Sequence, residues 1–142
     1  MPDVQPYRNF NFVVEIDGIE RASFSEATVP IAEIDVVEYR EGADKTSVSR
    51  KLPGRLRLGN LVLPRGIADD LDLWHWFQKV ADGEFERRNV AVILLDATRQ
   101  PVRRWLLHDA WIVKFEGPTL NAKGNEVAIE TLELTCERLE VE

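Results

Sequence analysis

The sequence predicts a mostly β fold: an antiparallel β-barrel or sandwich with one flanking α-helix and a long loop between two strands. Three observations predict it. Apolar and polar residues alternate along most of the chain, as in half-buried strands. The pair Asp17-Gly18 separates two such stretches, where it favours a tight hairpin turn. Helical periodicity is convincing only from Asp69 to Asp82. With 142 residues and no composition break, a single domain over residues 1–142 is expected.

The first hairpin is predicted from the alternation on either side of Asp17. The outgoing strand places four apolar side chains on one face: Phe10, Phe12, Val14 and Ile16. The returning strand is expected from Ile19 to Phe24.

A second hairpin is predicted to join Ile31–Tyr39 to Leu56–Leu63 through the long polar loop Arg40–Gly54. Loops of this length are uncommon in compact domains and are usually functional or disordered. The loop ends in Pro53-Gly54, which predicts a fixed turn back into the fold. In the next strand the apolar phase changes across Gly59-Asn60, which predicts a β-bulge.

The predicted helix begins at Asp69-Asp70, whose carboxylates can cap free amides, and ends before Gly83. Its polar residues form one narrow stripe, so the apolar face is wider than the roughly 100° that a surface helix needs. Trp74 and Trp76 lie on that face. Either the helix is deeply buried in the subunit, or a second surface covers what the subunit leaves exposed.

The remaining strands are predicted from four stretches: Asn89–Leu95, Val102–His108, Ala110–Glu116 and Glu126–Leu139. The run Val90 to Leu95 is apolar on both faces and would be an aggregation hazard at a sheet edge. A central strand is therefore expected there.

Composition excludes several classes of function. With 18 Lys+Arg against 25 Asp+Glu and a net charge of −7, a broad basic surface for specific nucleic-acid binding is not expected. The longest apolar run is far below the roughly 20 residues of a membrane-spanning helix, so this chain is not expected to insert into a membrane. The start Met1-Pro2-Asp3 lacks signal-peptide features, and synthesis and assembly in the cytoplasm are expected.

No combination of residues predicts catalysis, a metal site or a cofactor. His75 and His108 lack the spacing of a metal pair, and a surface and a strand-end histidine are expected. Cys136 alternates with apolar residues and predicts a buried small side chain, not a thiolate nucleophile. The pairs Arg87-Arg88 and Arg103-Arg104 lack interleaved aromatic residues and predict ion pairs within or between subunits. A binding or assembly protein fits this inventory better than an enzyme.

Several motifs, in order along the chain, resemble the tail tube proteins of contractile phage tails and of phage-tail-like extracellular contractile injection systems. They are Tyr7-Arg8-Asn9-Phe10-Asn11-Phe12, Glu38-Tyr39-Arg40-Glu41-Gly42, Lys51-Leu52-Pro53-Gly54, Leu73-Trp74-His75-Trp76 and the stretch from Glu116 to Glu130. The resemblance implies a β-barrel subunit that forms hexameric rings. Stacked rings make a hollow tube, which a contracting sheath drives through a target envelope. The family is related in fold to the haemolysin-coregulated protein of type VI secretion.

The resemblance also implies two assembly surfaces. The segment Glu38–Gly54 corresponds to a loop that contacts a neighbouring ring, and its candidate residues are Glu38, Tyr39, Arg40, Glu41, Asp44, Lys45, Arg50 and Lys51. The helix corresponds to one at the subunit boundary. Its wide apolar face predicts the hydrophobic part of the ring interface, formed by Leu73, Trp74, Trp76 and Phe77.

The partners that the resemblance implies are further copies of the chain and the sheath, baseplate and tape-measure proteins. A protein effector or DNA is expected as passenger cargo, inside a phage tail or an injection-system particle that is released from the cell. The alternative is a secreted ring protein of the type VI kind, which carries effectors in its pore.

Overall fold

The computed structural model describes residues 11–17, 19–21, 24–40, 42, 50–67, 70–84 and 86–142. These residues form nine strands and one helix: β1 (Phe12–Ile16), β2 (Ile19–Arg21), β3 (Ala32–Tyr39), β4 (Arg50–Leu58), β5 (Leu61–Gly66), α1 (Asp72–Ala81), β6 (Arg88–Leu95), β7 (Pro101–Glu116), β8 (Ile129–Thr135) and β9 (Arg138–Val141). All of the strand pairs are antiparallel, so the predicted fold class is confirmed.

Seven strands form the body of the protein, and within the part of the chain that the structure describes their sheet does not close into a barrel. The strand order is β2-β1-β6-β7-β8-β5, and β9 also pairs with β7. The first half of β7 pairs with β6 and β9, and its second half pairs with β8. A sandwich-like arrangement results, in which the strand β7 belongs to both layers.

The core lies between these layers and is covered on one side by α1. The buried apolar side chains of the first layer include Val14, Ile16, Val90 and Val92. Those of the second layer include Leu61, Leu63, Leu132 and Leu134. The strand β6 lies between β1 and β7, which confirms the prediction of a central strand at Val90–Leu95.

The strands β3 and β4 form a separate two-stranded sheet, which we call the arm. The predicted second hairpin is confirmed, but the predicted loop was too long. Pro53 and Gly54 lie within β4, where Pro53 is opposite Val36, so they do not form the turn expected at the end of the loop. Since β4 begins at Arg50, the connection beyond β3 comprises residues 40–49.

The phase change at Gly59-Asn60 marks a crossing between sheets and not a bulge within one strand. The strand β4 ends at Leu58 in the arm, and β5 begins at Leu61 beside β8 in the body. Gly59 N–H donates to the Ile31 carbonyl over 2.7 Å. A Cβ at Gly59 would lie 3.3 Å from the Ile31 nitrogen, so the backbones approach closely at this crossing.

Other predicted boundaries are wrong by a few residues. The helix spans Asp72–Ala81, so it begins three residues later and ends one residue earlier than predicted. The Asp70 carboxylate accepts a hydrogen bond from the Asp72 N–H over 2.8 Å. Gly83 has φ +91° and ends the helix as predicted. The two strands expected around Asp109 are one strand, β7, and the last predicted strand divides into β8 and β9. Phe10, Gly18 and Asp69 lie outside the described residues.

Candidate assembly surfaces

One face of the arm is apolar and exposed. Ile34 pairs with Leu56 and Val36 pairs with Pro53, and because cross-strand partners share a face, these four side chains lie together. Ile34 is 57% exposed, Val36 63% and Leu56 59%. An isolated two-stranded sheet is only marginally stable in water. The arm therefore presents an apolar surface that no described part of the chain covers.

The other face of the arm is charged near the body. Glu33 pairs with Arg57, whose Nε donates to Asp35 Oδ2 over 3.0 Å. A Cβ at Gly54 would lie only 2.9 Å from the Val37 side chain and 3.0 Å from the Asp35 carbonyl oxygen. A larger residue at Gly54 would therefore push the two strands apart.

Four of the predicted inter-ring residues meet at the end of the arm away from the body. Glu38 pairs with Lys51, and Tyr39 pairs with Arg50. Arg40 follows β3 directly and is exposed. The other three predicted residues, Glu41, Asp44 and Lys45, lie outside the described residues.

The helix divides the predicted ring-interface residues into two groups. Leu73 is 2% exposed and Trp76 is 1% exposed, so both belong to the core of the subunit itself. The Trp76 Nε1–H donates to the Glu86 carbonyl oxygen over 2.8 Å, and the Arg88 guanidinium lies 4.7 Å from the Trp76 ring centroid. Because Trp76 is almost fully buried within its own subunit, it leaves no surface for a neighbouring subunit.

Trp74 and Phe77 lie at the surface in an aromatic patch completed by Phe115. Trp74 is 39% exposed. Its ring lies edge-on to Phe115 with 5.2 Å between centroids, and 5.6 Å from Phe77. Such aromatic pairs add about 0.5–1.5 kcal/mol beyond burial, and the patch is a partly exposed apolar surface.

The predicted ion pairs of Arg87 and Arg88 form within the subunit. The Arg87 Nη1 lies 2.6 Å from Glu137 Oε1, and Arg88 lies 3.3 Å from Glu86 and 3.6 Å from Asp17. Among the described residues, no acid lies within ion-pair distance of the exposed Arg103 and Arg104.

The titratable groups have structural environments. Burial raises the pKa of the Cys136 thiol, as predicted for a core cysteine and contrary to what a nucleophile needs. His75 is exposed on α1, and His108 Nε2 lies 3.3 Å from Glu140 Oε1. A hydrogen bond from the Gln100 backbone N–H, followed by one from the Thr98 hydroxyl, lowers the pKa of Asp96. Within the described ranges, no group of three or more His, Cys, Asp or Glu residues could hold a metal ion.

The pattern-based prediction missed a buried ion pair between Arg65 on β5 and Glu130 on β8. Arg65 Nε lies 2.6 Å from Glu130 Oε1, and the residues are 5% and 9% exposed. The signal was present in the alternation. Arg65 continues the inward phase of Leu61 and Leu63, and Glu130 shares the phase of Leu132.

Comparison with known proteins decides the family. The family model of the T4-like virus tail tube protein gp19 matches residues 8–140. The chain belongs to the gp19 tail tube family. This family has a structural role and not an enzymatic one. That role agrees with the sequence analysis, which predicted no catalytic residues.

Solved tail tube relatives share the whole fold. A chain in "Cryo-EM structure of the anti-feeding prophage (AFP) baseplate, 6-fold symmetrised" is 27% identical with a TM-score of 0.88, and the match covers 99% of this chain and 97% of that chain. A chain in the extended PVC sheath-tube complex, an extracellular contractile injection system, is 19% identical with a TM-score of 0.87, over 98% of this chain and 93% of that chain. Both similarities span the arm and the body.

Type VI proteins share the fold more distantly. Hcp1 from Flavobacterium johnsoniae is 12% identical with a TM-score of 0.56, and the match covers 92% of this chain and 93% of that chain. No curated protein sequence matches this chain. Within the described residues, no helix is long and apolar enough to cross a membrane.

Proposed function

We propose that this tail tube protein is the repeating subunit of the inner tube of a contractile injection system or phage tail. Six copies close a ring, the rings stack into a hollow conduit, and sheath contraction propels the tube. The arm carries this proposal, because it exposes an apolar face that the described body of the subunit does not cover. A surface of this kind is typical of a contact with another molecule.

Two separate surfaces suit two kinds of neighbour. A contact between two different surfaces of the subunit forms a ring when the rotation between neighbours brings the last copy back to the first. A second contact, between ring faces, extends the ring into a tube. We assign Trp74 and Phe77 to the contact within the ring. We assign the end of the arm, with Glu38, Lys51 and Arg50, to the contact between rings.

The relatives supply the number of subunits and the partners in this proposal. The AFP baseplate that contains the 27% identical chain has six-fold symmetry, and the PVC relative lies in a sheath-tube complex. For this chain we propose six copies in a ring, with sheath, baseplate and tape-measure proteins as partners. A protein effector or DNA is the proposed passenger in the channel.

Electrostatics favours the contact between rings. The strand β4 contains four cationic residues and no acid, whereas the whole chain has a net charge of −7. The strand β3 opposite it contains three acids, so the two strands together have a formal charge of +1 (4 − 3), and their attraction to a predominantly acidic neighbour is modest. Because salt screens exposed charges, stacking should weaken as the ionic strength rises from about 0.01 M to 1 M.

Negative-stain electron microscopy of the purified protein tests the proposal. At high protein concentration and low salt we expect rings with a central hole and tubes of stacked rings. Rings that never stack under these conditions would favour the alternative, a secreted ring protein of the type VI kind. A monodisperse monomer at all concentrations, also in the presence of preformed baseplates, would contradict both.

A further inference from the structure

Burying the ion pair of Arg65 and Glu130 costs free energy, and a contribution to stability alone does not account for its presence. Removing two charges from water costs several kcal/mol per ion in proteins, and apolar residues of similar volume are often equally stable in such a position. The pair is therefore weak support for stability alone. Its further contacts indicate what else it determines.

Arg65 contacts two chain segments besides β8. Its Nη2 donates to the Asp70 carbonyl oxygen over 3.2 Å, two residues before α1 begins. Its guanidinium carbon lies 6.0 Å from the Phe24 ring centroid, and Phe24 also forms a β-bridge with Arg65. One side chain thus contacts the segment before the arm, the start of the helix and the body.

These segments lead to the two proposed assembly surfaces. The arm leaves the body at Ile31 and Gly59, and from there residues 24–31 run antiparallel to residues 59–65 as far as the bridge between Phe24 and Arg65. Arg65 thus lies at the end of this two-stranded connection that is away from the arm. The two connections are bonded to each other, since Ser25 N–H donates to the Pro64 carbonyl oxygen over 3.0 Å and Thr28 N–H to the Val62 carbonyl oxygen over 2.9 Å. The backbone at Asp70 leads directly to the helix that carries Trp74.

We infer that Arg65, held by Glu130, is a positioning residue that fixes the arm relative to helix α1. The inference rests on the proposed function, in which the arm binds the next ring and the helix binds the ring neighbour. The two contacts must form at a constant angle for identical subunits to stack without accumulating error. By linking the connection that carries the arm to the start of the helix, Arg65 provides that angle.

The chemistry of arginine fits this role. The planar guanidinium donates from Nε to Glu130 and from Nη2 to Asp70 at the same time, while its face lies toward Phe24. A lysine would keep the charge opposite Glu130 but would lose the fixed fork. Paired apolar substitutions would fill the volume and lose both directional contacts.

Distance measurement in the dispersed subunit tests the positioning role. Spin labels at Glu38→Cys on the arm and Gln78→Cys on α1, in a Cys136→Ala background, report the distance between arm and helix by electron spin resonance. We expect a narrow distance distribution with Arg65 present, and a broader one in Arg65→Lys and in the double variant Arg65→Met with Glu130→Met. Arg138→Lys, in the exposed ion pair with Glu140 on β9 of the body, is the matched control and should keep the narrow distribution.

A distribution as narrow in Arg65→Lys as in the parent would overturn the inference. Should the double variant fail to fold, Arg65→Lys decides alone. The thermal midpoint of each variant is measured in parallel. The distance distribution of a core variant, Ile112→Val, is compared with that of Arg65→Lys at the same loss of thermal midpoint. If Arg65 had only a structural role, the two distributions would be equally broad.

The consequence for assembly is measured separately. We expect Arg65→Lys to raise the protein concentration needed for tube formation about tenfold, while Arg138→Lys leaves it unchanged. If the parent forms no tubes, the proposed function fails, and the distance measurement still decides the positioning role. An unchanged assembly concentration in Arg65→Lys contradicts the inference even where tubes form normally.

Discussion

The sandwich body buries its apolar side chains, whereas the arm leaves apolar side chains exposed. In the body, Leu61 and Leu63 are at most 1% exposed, and every neighbour that covers them is on the same chain. In the arm, Ile34 and Leu56 are more than half exposed, although they are as apolar as their counterparts in the core. The body thus resembles the interior of a monomer, and the arm resembles one side of an interface.

This difference separates folding from assembly. Substitutions in the body should lower the free energy of unfolding, whereas substitutions on the apolar face of the arm should change association and leave folding nearly intact. The helix α1 contains residues of both kinds, because Trp76 faces the core and Trp74, two residues away, faces outward. Four predictions test this separation.

The largest expected effect is the loss of folding in Trp76→Ala. Truncating a fully buried tryptophan costs about 3–5 kcal/mol and here also leaves the Glu86 carbonyl oxygen without its indole donor. Chemical denaturation followed by circular dichroism should show this loss in the dispersed subunit. A variant with parental stability that only fails to form rings would place Trp76 at the interface instead.

Next in size is the loss of stacking in Ile34→Glu. A carboxylate on the apolar face of the arm must be desolvated in any contact between subunits, but in the dispersed subunit it stays in water. Stability should therefore change by no more than about 0.5 kcal/mol, while electron microscopy shows rings without tubes. Glu33→Gln, on the opposite face of the arm, is the control, and tubes of parental length from Ile34→Glu would contradict the role of this face.

Trp74→Ala should weaken ring formation about tenfold, as expected for an interface tryptophan worth more than 1 kcal/mol. Its effect on folding should be much smaller than that of Trp76→Ala, because the Trp74 ring is already 39% exposed. Analytical ultracentrifugation over a range of concentrations measures the ring equilibrium. His75→Ala, one residue along the helix, is the control, and equal effects of the two substitutions would refute a specific contact at Trp74.

The smallest effect is expected at the turn between β6 and β7. The Asp96 Oδ1 accepts hydrogen bonds from the N–H groups of Thr98 and Gln100, each over 2.9 Å. Because these bonds lower the pKa of Asp96 below its usual 3.8, their contribution is present above that pH and is lost as the pH falls through the lowered pKa. The protection factor of the Gln100 amide, its hydrogen-exchange rate compared with the intrinsic rate at the same pH, should fall on acidification in the parent and be low at all pH values in Asp96→Ala.

Much of the fold follows from local pattern. The alternation around Asp17, the doubly apolar run at Val90–Leu95 and the glycine after the helix each correspond to an element in the structure, because burial selects period-two and period-3.6 patterns directly. The arm was harder to predict. Leu52 and Leu56 alternate like core residues, and the sequence pattern does not distinguish a strand that faces its own core from one that is exposed.

The candidate site shows the same limit. The width of the apolar helix face left two explanations open, deep burial or a second surface. The structure buries Leu73 and Trp76 and leaves Trp74 39% exposed, and a second surface over Trp74 remains our proposal. Trp74 and Trp76 have the same residue type and lie two positions apart, so composition and hydrophobic periodicity gave no reason to separate them. Only the position of Phe115 and Glu86 around the helix does so.

The sequence by itself determined the fold class, the central strand and the resemblance to tail tube proteins, since these depend on local period and motif order. Only the tertiary structure decided where β4 leaves the arm for the body, which tryptophan is covered, and that Arg65 and Glu130 meet. These facts depend on contacts between residues as far apart as the 65 positions that separate this pair. Such contacts are set by the packing of the whole chain, whereas periodicity records only which side of an element is buried.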